Sequence, residues 1–199
     1  MSNSPFKLLE AYGKEDREIF FGRDEETEAL YQMSFQTNLM LVYGMSGTGK
    51  TSLIRCGLAN RIDESDWHDV YIRRHKDLNQ AFVQELDLQD KEDSIEAEIT
   101  VPDMVKSLYL DYLKPIYLIF DQFEELFILG SEDEYRTFVH TIAELLAAEL
   151  PCKIIIVMRE EYLAHLSTFE KEVPKLFDKR LRVEPMTLTN ARNVIINTT

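Results

Sequence analysis

Positive charge is in short supply in this 199-residue chain: 22 Lys and Arg stand against 36 Asp and Glu, a formal net charge of −14. That deficit repels phosphate backbones at long range, which argues against a nucleic-acid or anionic-membrane surface and leaves any basic site to be built by local position. Cysteine is scarce as well. Cys56 and Cys152 make neither a disulfide framework nor a metal cluster, and as free thiols they fit a reducing compartment. His68, His75, His140 and His165 show no metal-ligand spacing and read as structural or surface residues. No apolar run approaches the about 18 residues of a membrane span, and the first residues lack a basic segment followed by an apolar one. The expectation is a soluble, cytoplasmic protein with no membrane partner. Seven Gly and six Pro are too few to break up an apolar content of 45%, so disorder is excluded as the main state.

What is present is a recurring alternation. Continuous apolar runs at Leu39–Tyr43, Val70–Ile72, Ile116–Phe120 and Ile154–Met158 predict parallel strands covered on both faces, and Leu181–Val183 predicts a short fifth. Helical patterns fill the gaps at Asp24 to about Met33, Gly49–Ile62 and Asp133–Leu150. Strands alternating with helices predict one α/β domain with a mostly parallel five-stranded sheet. The acidic stretch Asp87–Glu98 reads as a solvated helix face or loop. After Pro185 the chain begins another helix and stops, as a fragment of something longer or a frayed terminus would.

The chemistry is carried by strand ends. Gly44-Met45-Ser46-Gly47-Thr48-Gly49-Lys50-Thr51 matches the pattern Gly-x4-Gly-Lys-Thr, after an apolar strand and before an amphipathic helix. Glycines let consecutive backbone N–H groups turn inward on phosphate oxygens, and the helix dipole adds positive potential. Lys50 reaches the β- and γ-phosphates, and the Thr51 hydroxyl ligates Mg²⁺. Gly44, Ser46, Gly47, Thr48, Gly49, Lys50, Thr51 and Ser52 are therefore the expected phosphate-binding positions. Asp121 ends the strand Ile116–Phe120, where a buried carboxylate needs a facing cation, and is the expected second metal residue. Glu124 and Glu125 follow; on a helix they point about 100° apart, so one of them faces the γ-phosphate to orient water. Gln122, beside Asp121, orients a water but takes no proton, which predicts slow hydrolysis. Arg159, at the end of Ile154–Met158, is placed to sense the γ-phosphate, its alternative being a surface ion pair with Glu160 or Glu161. Arg180 is a weaker phosphate candidate. Arg73-Arg74-His75-Lys76-Asp77 reads as a solvated basic cluster, Cys56 as a buried small apolar group, and Trp67 as packing.

With Phe20-Phe21-Gly22-Arg23-Asp24-Glu25-Glu26 before them, these motifs resemble the STAND class of P-loop ATPases, in particular the bacterial novel STAND NTPases; Asp121-Gln122-Phe123-Glu124-Glu125-Leu126-Phe127 is the most specific piece. The resemblance spans roughly residues 5–195. It implies a RecA/AAA-like three-layer P-loop NTPase domain over residues 1–184, with an adenine-bordering element at about 5–36 that includes Phe21, Gly22 and Arg23. It implies that the Arg159 strand lies between the Lys50 and Asp121 strands, and that residues 185–199 begin a helical or winged-helix lid. It implies ATP/ADP and Mg²⁺ as cofactors, self-association, sensor and effector domains in the same chain, and a role in bacterial signalling or anti-phage defence; the charge adds the expectation of no nucleic-acid partner. The rival readings are a P-loop kinase acting on a small acceptor, a scaffold that holds nucleotide without turnover, and a DNA-dependent ATPase.

Overall fold

Strands that are apolar on both faces must be covered twice, and the sandwich that results fixes where the chemistry lies. A computed structural model describes residues 7, 10–87, 99–174 and 176–197; most of the acidic stretch, residues 88–98, lies outside them. Strands β1 (Leu39–Gly44), β2 (His68–Ile72), β3 (Ile116–Phe120), β4 (Cys152–Arg159) and β5 (Arg180–Arg182) form one sheet in the order β2-β3-β4-β1-β5. Every neighbouring pair is parallel, so the sheet is parallel throughout rather than mostly so. β5 starts one residue earlier than its apolar pattern suggests, because Leu41 donates to the Lys179 carbonyl and draws the edge strand into register there.

One face of the sheet packs against helices Leu78–Asp87, Val101–Tyr112 and Glu132–Ala147 through an aromatic core. Phe120 meets Phe82 and Phe138 edge-on at 5.0 and 4.9 Å, a geometry that suits the ring quadrupoles. On the other face, helix Asp24–Gln36 and the helix after the glycine loop bury Leu30, Leu53 and Leu58 against Met40, Val42 and Val157. That second helix runs over residues 50–61 and widens to a π-helical turn at Leu53–Leu58, a feature its apolar periodicity does not announce. Helix starts follow local chemistry: Thr100 and Asp103 form a capping box, and Ser131 accepts from the Glu134 N–H.

Trp67 packs on Tyr117 with ring centroids 4.3 Å apart, and Cys56 and Cys152 are buried, their thiols pushed up by desolvation to about 11 and about 12. Among the described residues no helix is long and apolar enough to cross a membrane. The last helix, Leu188–Asn197, returns to the glycine-loop side of the molecule, where Val194 approaches Gly22.

Candidate functional site

Parallel strands gather their carboxyl ends on one edge, and the order β3-β4-β1 brings three of them side by side. In register, Gly44 at the end of β1 lies opposite Arg159 at the end of β4. The chain then turns through residues 45–49 into the next helix. Gly49 caps that helix at φ +86°, a conformation side chains avoid. Lys50 lies back over the loop and donates its Nζ to the carbonyls of Gly44 and Met45 at 2.8 and 2.7 Å. Burial holds the Lys50 ammonium below its ordinary range, against the opposing pull of Glu124. The Thr51 hydroxyl sits 3.0 and 3.2 Å from the two oxygens of Asp121.

After β3 a tight turn aims the acidic residues. Asp121 N–H donates to the Ile72 carbonyl and Phe123 N–H to the Val157 carbonyl, so the turn is pinned between β2 and β4, with Gln122 at φ +57°. Asp121 is 4% exposed and also accepts from Gln122 N–H at 3.1 Å. Pinning the turn brings Glu124 against Arg159: its carboxylate lies 3.0 Å from Arg159 Nε and accepts from the Arg159 N–H at 3.2 Å. Glu124 thus fills the place that sequence left open between Glu160 and Glu161 for the Arg159 partner, and Glu160 pairs with Arg182 instead. Glu125 opens the following short helix.

The basic cluster is not simply solvated. His75 and Lys76 are exposed, but Arg73 donates to Asp121 at 2.7 Å, and the Arg74 side chain is packed against Glu134 at 2.8 Å. The reason is topological. β2 neighbours β3, so the residues just after β2 fall beside the acidic strand end and the Glu132–Ala147 helix, a proximity that linear spacing does not reveal.

Two cavities meet at the loop. The larger, about 780 Å³, is lined by Lys50, Thr51, Arg73, Asp121, Glu124 and Arg159 among others, and not by Glu125. The smaller, about 440 Å³, is walled by Phe20, Phe21, Pro185, Met186 and Val194, with Ser46, Gly47, Thr48 and Gly49 as its floor. Tyr12 and Ser52 border both, joined by a hydrogen bond from Tyr12 N–H to Ser52 Oγ at 3.1 Å. Of the three residues expected beside a base, Phe21 and Arg23 line the smaller cavity, whereas the Gly22 carbonyl accepts from Asn190 at 3.4 Å. Arg180 lies on the exposed edge strand, its guanidinium 5.9 Å from the Phe177 ring, and lines neither cavity.

A polyphosphate with an apolar ring at one end fits this pair of spaces. Thr51 and Asp121 also suit Mg²⁺: a hydroxyl that donates to the carboxylate keeps its lone pairs for a cation, and both groups line the same cavity. Among the described residues no group of three His, Cys, Asp or Glu gathers into a metal cage, and Mg²⁺ carried with phosphates needs only one or two protein oxygens. Sequence reading missed Arg73, Arg55 and Tyr12 as cavity residues; Arg73, a cation directly after an apolar strand, carried the same signal as Arg159.

Comparisons with known proteins agree with this geometry. A family model described as Novel STAND NTPase 1 matches residues 5–199. Among solved structures, a Walker-type ATPase of Pyrococcus abyssi superposes with a TM-score of 0.69 at 17% identity, over 96% of this chain and 61% of that one. The ORC2 protein of Aeropyrum pernix, solved with ADPNP and ADP, gives 0.67 at 14% identity, over 98% and 55%. Cdc6p of Pyrobaculum aerophilum gives 0.60 at 16% identity, over 99% and 51%. At those identities the likeness establishes a shared fold, and the chain spans little more than half the length of these structures. No curated protein matches the sequence.

Proposed function

Because the chain belongs to the Novel STAND NTPase 1 family, we propose that it is an ATP-binding, slowly hydrolysing switch domain. The observation that carries this reading is the contact of Thr51 with Asp121 in one cavity with Lys50, beside an apolar pocket of base size. In this reading the backbone N–H groups of residues 46–51 and the Lys50 ammonium grip the phosphates, and the adenine ring lies between Phe21, Tyr12 and Val194. Thr51 and Asp121 hold Mg²⁺, which supplies positive charge to the phosphate oxygens when bound. Glu124 orients the attacking water and is itself held by Arg159, which reports the γ-phosphate through that pair. Gln122 follows Asp121 where a second acid would take a proton, and hydrolysis is accordingly slow.

Membership of the family, and a length little more than half that of the structural relatives, support a place in a larger signalling protein with sensor and effector parts. Residues 1–184 form the NTPase unit in this reading, and residues 185–199 open the lid. Self-association on exchange of ADP for ATP and a role in bacterial defence belong to the same proposal. The charge of −14 supports a partner other than nucleic acid.

Nucleotide content after native purification tests the core of it. Wild type is expected to carry adenine nucleotide and Lys50→Ala to carry none. Wild type that binds no adenine nucleotide when titrated with ATP and Mg²⁺ would overturn the reading.

A further inference from the structure

Arg73 and Arg74 are neighbours in sequence and opposites in setting. The Arg74 side chain is 8% exposed and bonded to Glu134 and to the carbonyls of Lys76 and Leu129, the pattern of a fixed structural group. The Arg73 side chain is 45% exposed, lines the larger cavity, and makes its ion pair with Asp121 Oδ2 at 2.7 Å. Its partner cannot move in the same way. Asp121 is 4% exposed, on a turn pinned to β2 and β4; its Oδ1 accepts the Gln122 N–H and the shorter contact of the Thr51 hydroxyl, which also lies 3.2 Å from Oδ2. Asp121 Oδ2, shared with that hydroxyl, is the oxygen that takes the cation, and a half-exposed guanidinium sits on it.

A buried carboxylate is costly without a counter-charge, so Arg73 stabilises Asp121 whenever no other cation is near. A Mg²⁺ ion contacts its carboxylate ligand at about 2.1 Å, and two cations crowded on one oxygen repel strongly in a low dielectric. We propose that Arg73 is a built-in competitor of the divalent ion: it neutralises Asp121 in the metal-free site and must leave Oδ2 for a metal to bind. Arg73 thereby sets the metal concentration at which nucleotide and metal are held together. It acts through Asp121 and is a positioning residue rather than a catalytic one. The inference rests on the reading of Thr51 and Asp121 as the metal-bearing pair.

The test uses Mn²⁺ as a paramagnetic stand-in, with free and bound ion read by electron paramagnetic resonance in the presence of ADP. Arg73→Gln keeps a polar group and removes the charge, and is expected to lower the half-saturating Mn²⁺ concentration by about tenfold, a common size for coupling between sites. Arg73→Lys, which keeps the charge, is expected to stay near wild type. In an Asp121→Asn background the Arg73→Gln change should make no difference, because the contested oxygen pair has lost its charge. Unchanged or weaker Mn²⁺ binding in Arg73→Gln, with wild type binding normally, overturns the inference alone. Wild type that holds ADP but no Mn²⁺ at any concentration sinks the metal-pair reading and the inference with it. If Arg73→Gln does not fold, arginine Nε–Hε resonances of wild type, assigned with Arg73→Lys, decide the matter. The Arg73 signal should shift as Mg²⁺ is added to the ADP complex, and a fixed signal overturns the proposal.

Discussion

Arg23 donates from Nη2 to the carbonyl of Thr48, 2.8 Å away and 25 positions along the chain. The same nitrogen donates to the Glu184 carbonyl at 2.9 Å, and Nη1 is bonded to the Glu26 carboxylate. A guanidinium that is 5% exposed thus ties the floor of the smaller cavity to the segment that leads from β5 into the last helix. Through these hydrogen bonds it braces the loop that floors the cavity it also lines. The glycine-rich loop and the chain beyond β5 are thereby tied together by one side chain.

Replacing Arg23 with Ala should leave two carbonyls and a carboxylate short of partners, at about 1–3 kcal/mol for each buried group that water does not reach. The denaturation midpoint in urea is expected to fall, and nucleotide affinity with it. Arg23→Lys should recover little, since an ammonium cannot span the fork that reaches Thr48, Glu184 and Glu26 together. Wild-type stability and affinity in Arg23→Ala would show that the clamp contributes nothing.

The sheet was legible because its strands declare themselves by unbroken apolar runs, and the phosphate loop because Gly, Lys and Thr are needed at fixed spacing whatever the fold around them. Asp121 and Arg159 were legible for a related reason: a charge directly after a buried strand has one place to go. What could not be read was which distant groups meet. Arg73 meets Asp121, Arg74 meets Glu134, and Arg23 meets Thr48 across separations of 48, 60 and 25 residues, set by strand order and loop path rather than by local pattern. The choice between Glu124 and Glu125 stayed open in sequence for the same reason. It depends on a turn at Gln122 whose positive φ no residue preference at that position announces.

Glu124 borders the larger cavity and touches Arg159, whereas Glu125 does not line that cavity. Glu124→Gln is therefore expected to bind ATP normally and to slow single-turnover hydrolysis by about 100-fold or more, the usual loss when a positioned acid–base group is removed. Glu125→Gln should hydrolyse at the wild-type rate. The reverse pattern would reassign the water-orienting role.

A methyl group on Gly44 would lie 2.3 Å from the Val183 carbonyl and 3.2 Å from Thr48 Oγ1. The Val183 N–H donates to the Tyr43 carbonyl at 2.7 Å, so that segment cannot retreat without losing the end of the β1–β5 pairing. Gly44→Ala is expected to cost about 1–3 kcal/mol by overpacking. Hydrogen exchange should show the loss concentrated at residues 180–184. A uniform loss over the sheet, or none, would contradict the account.

Acid should reach the Arg74–Glu134 pair late, because its carboxyl is held below the ordinary carboxylate range. Burial alone would push the Glu134 carboxyl up, but the Arg74 guanidinium, the Leu78 N–H at 2.7 Å and the Ser131 end of the helix together hold it below its ordinary value of 4.5. A folded-state value below the unfolded one means that the unfolded chain takes up the proton first as pH falls. The pair's contribution is therefore fully present above about pH 4.5 and is lost as pH drops through the folded-state value. Glu134→Gln leaves the Arg74 charge buried without its partner and is expected to cost on the order of 3 kcal/mol at neutral pH. Thermal melting of wild type and Glu134→Gln from pH 7 to pH 3 checks the sign. The gap between them should be constant down to about pH 5 and close below it, because a protonated carboxyl and a glutamine amide are then equally uncharged opposite Arg74. A gap that persists unchanged to pH 3 would mean that Arg74 and Glu134 hold each other by packing and neutral hydrogen bonds, with the carboxylate charge irrelevant to the fold.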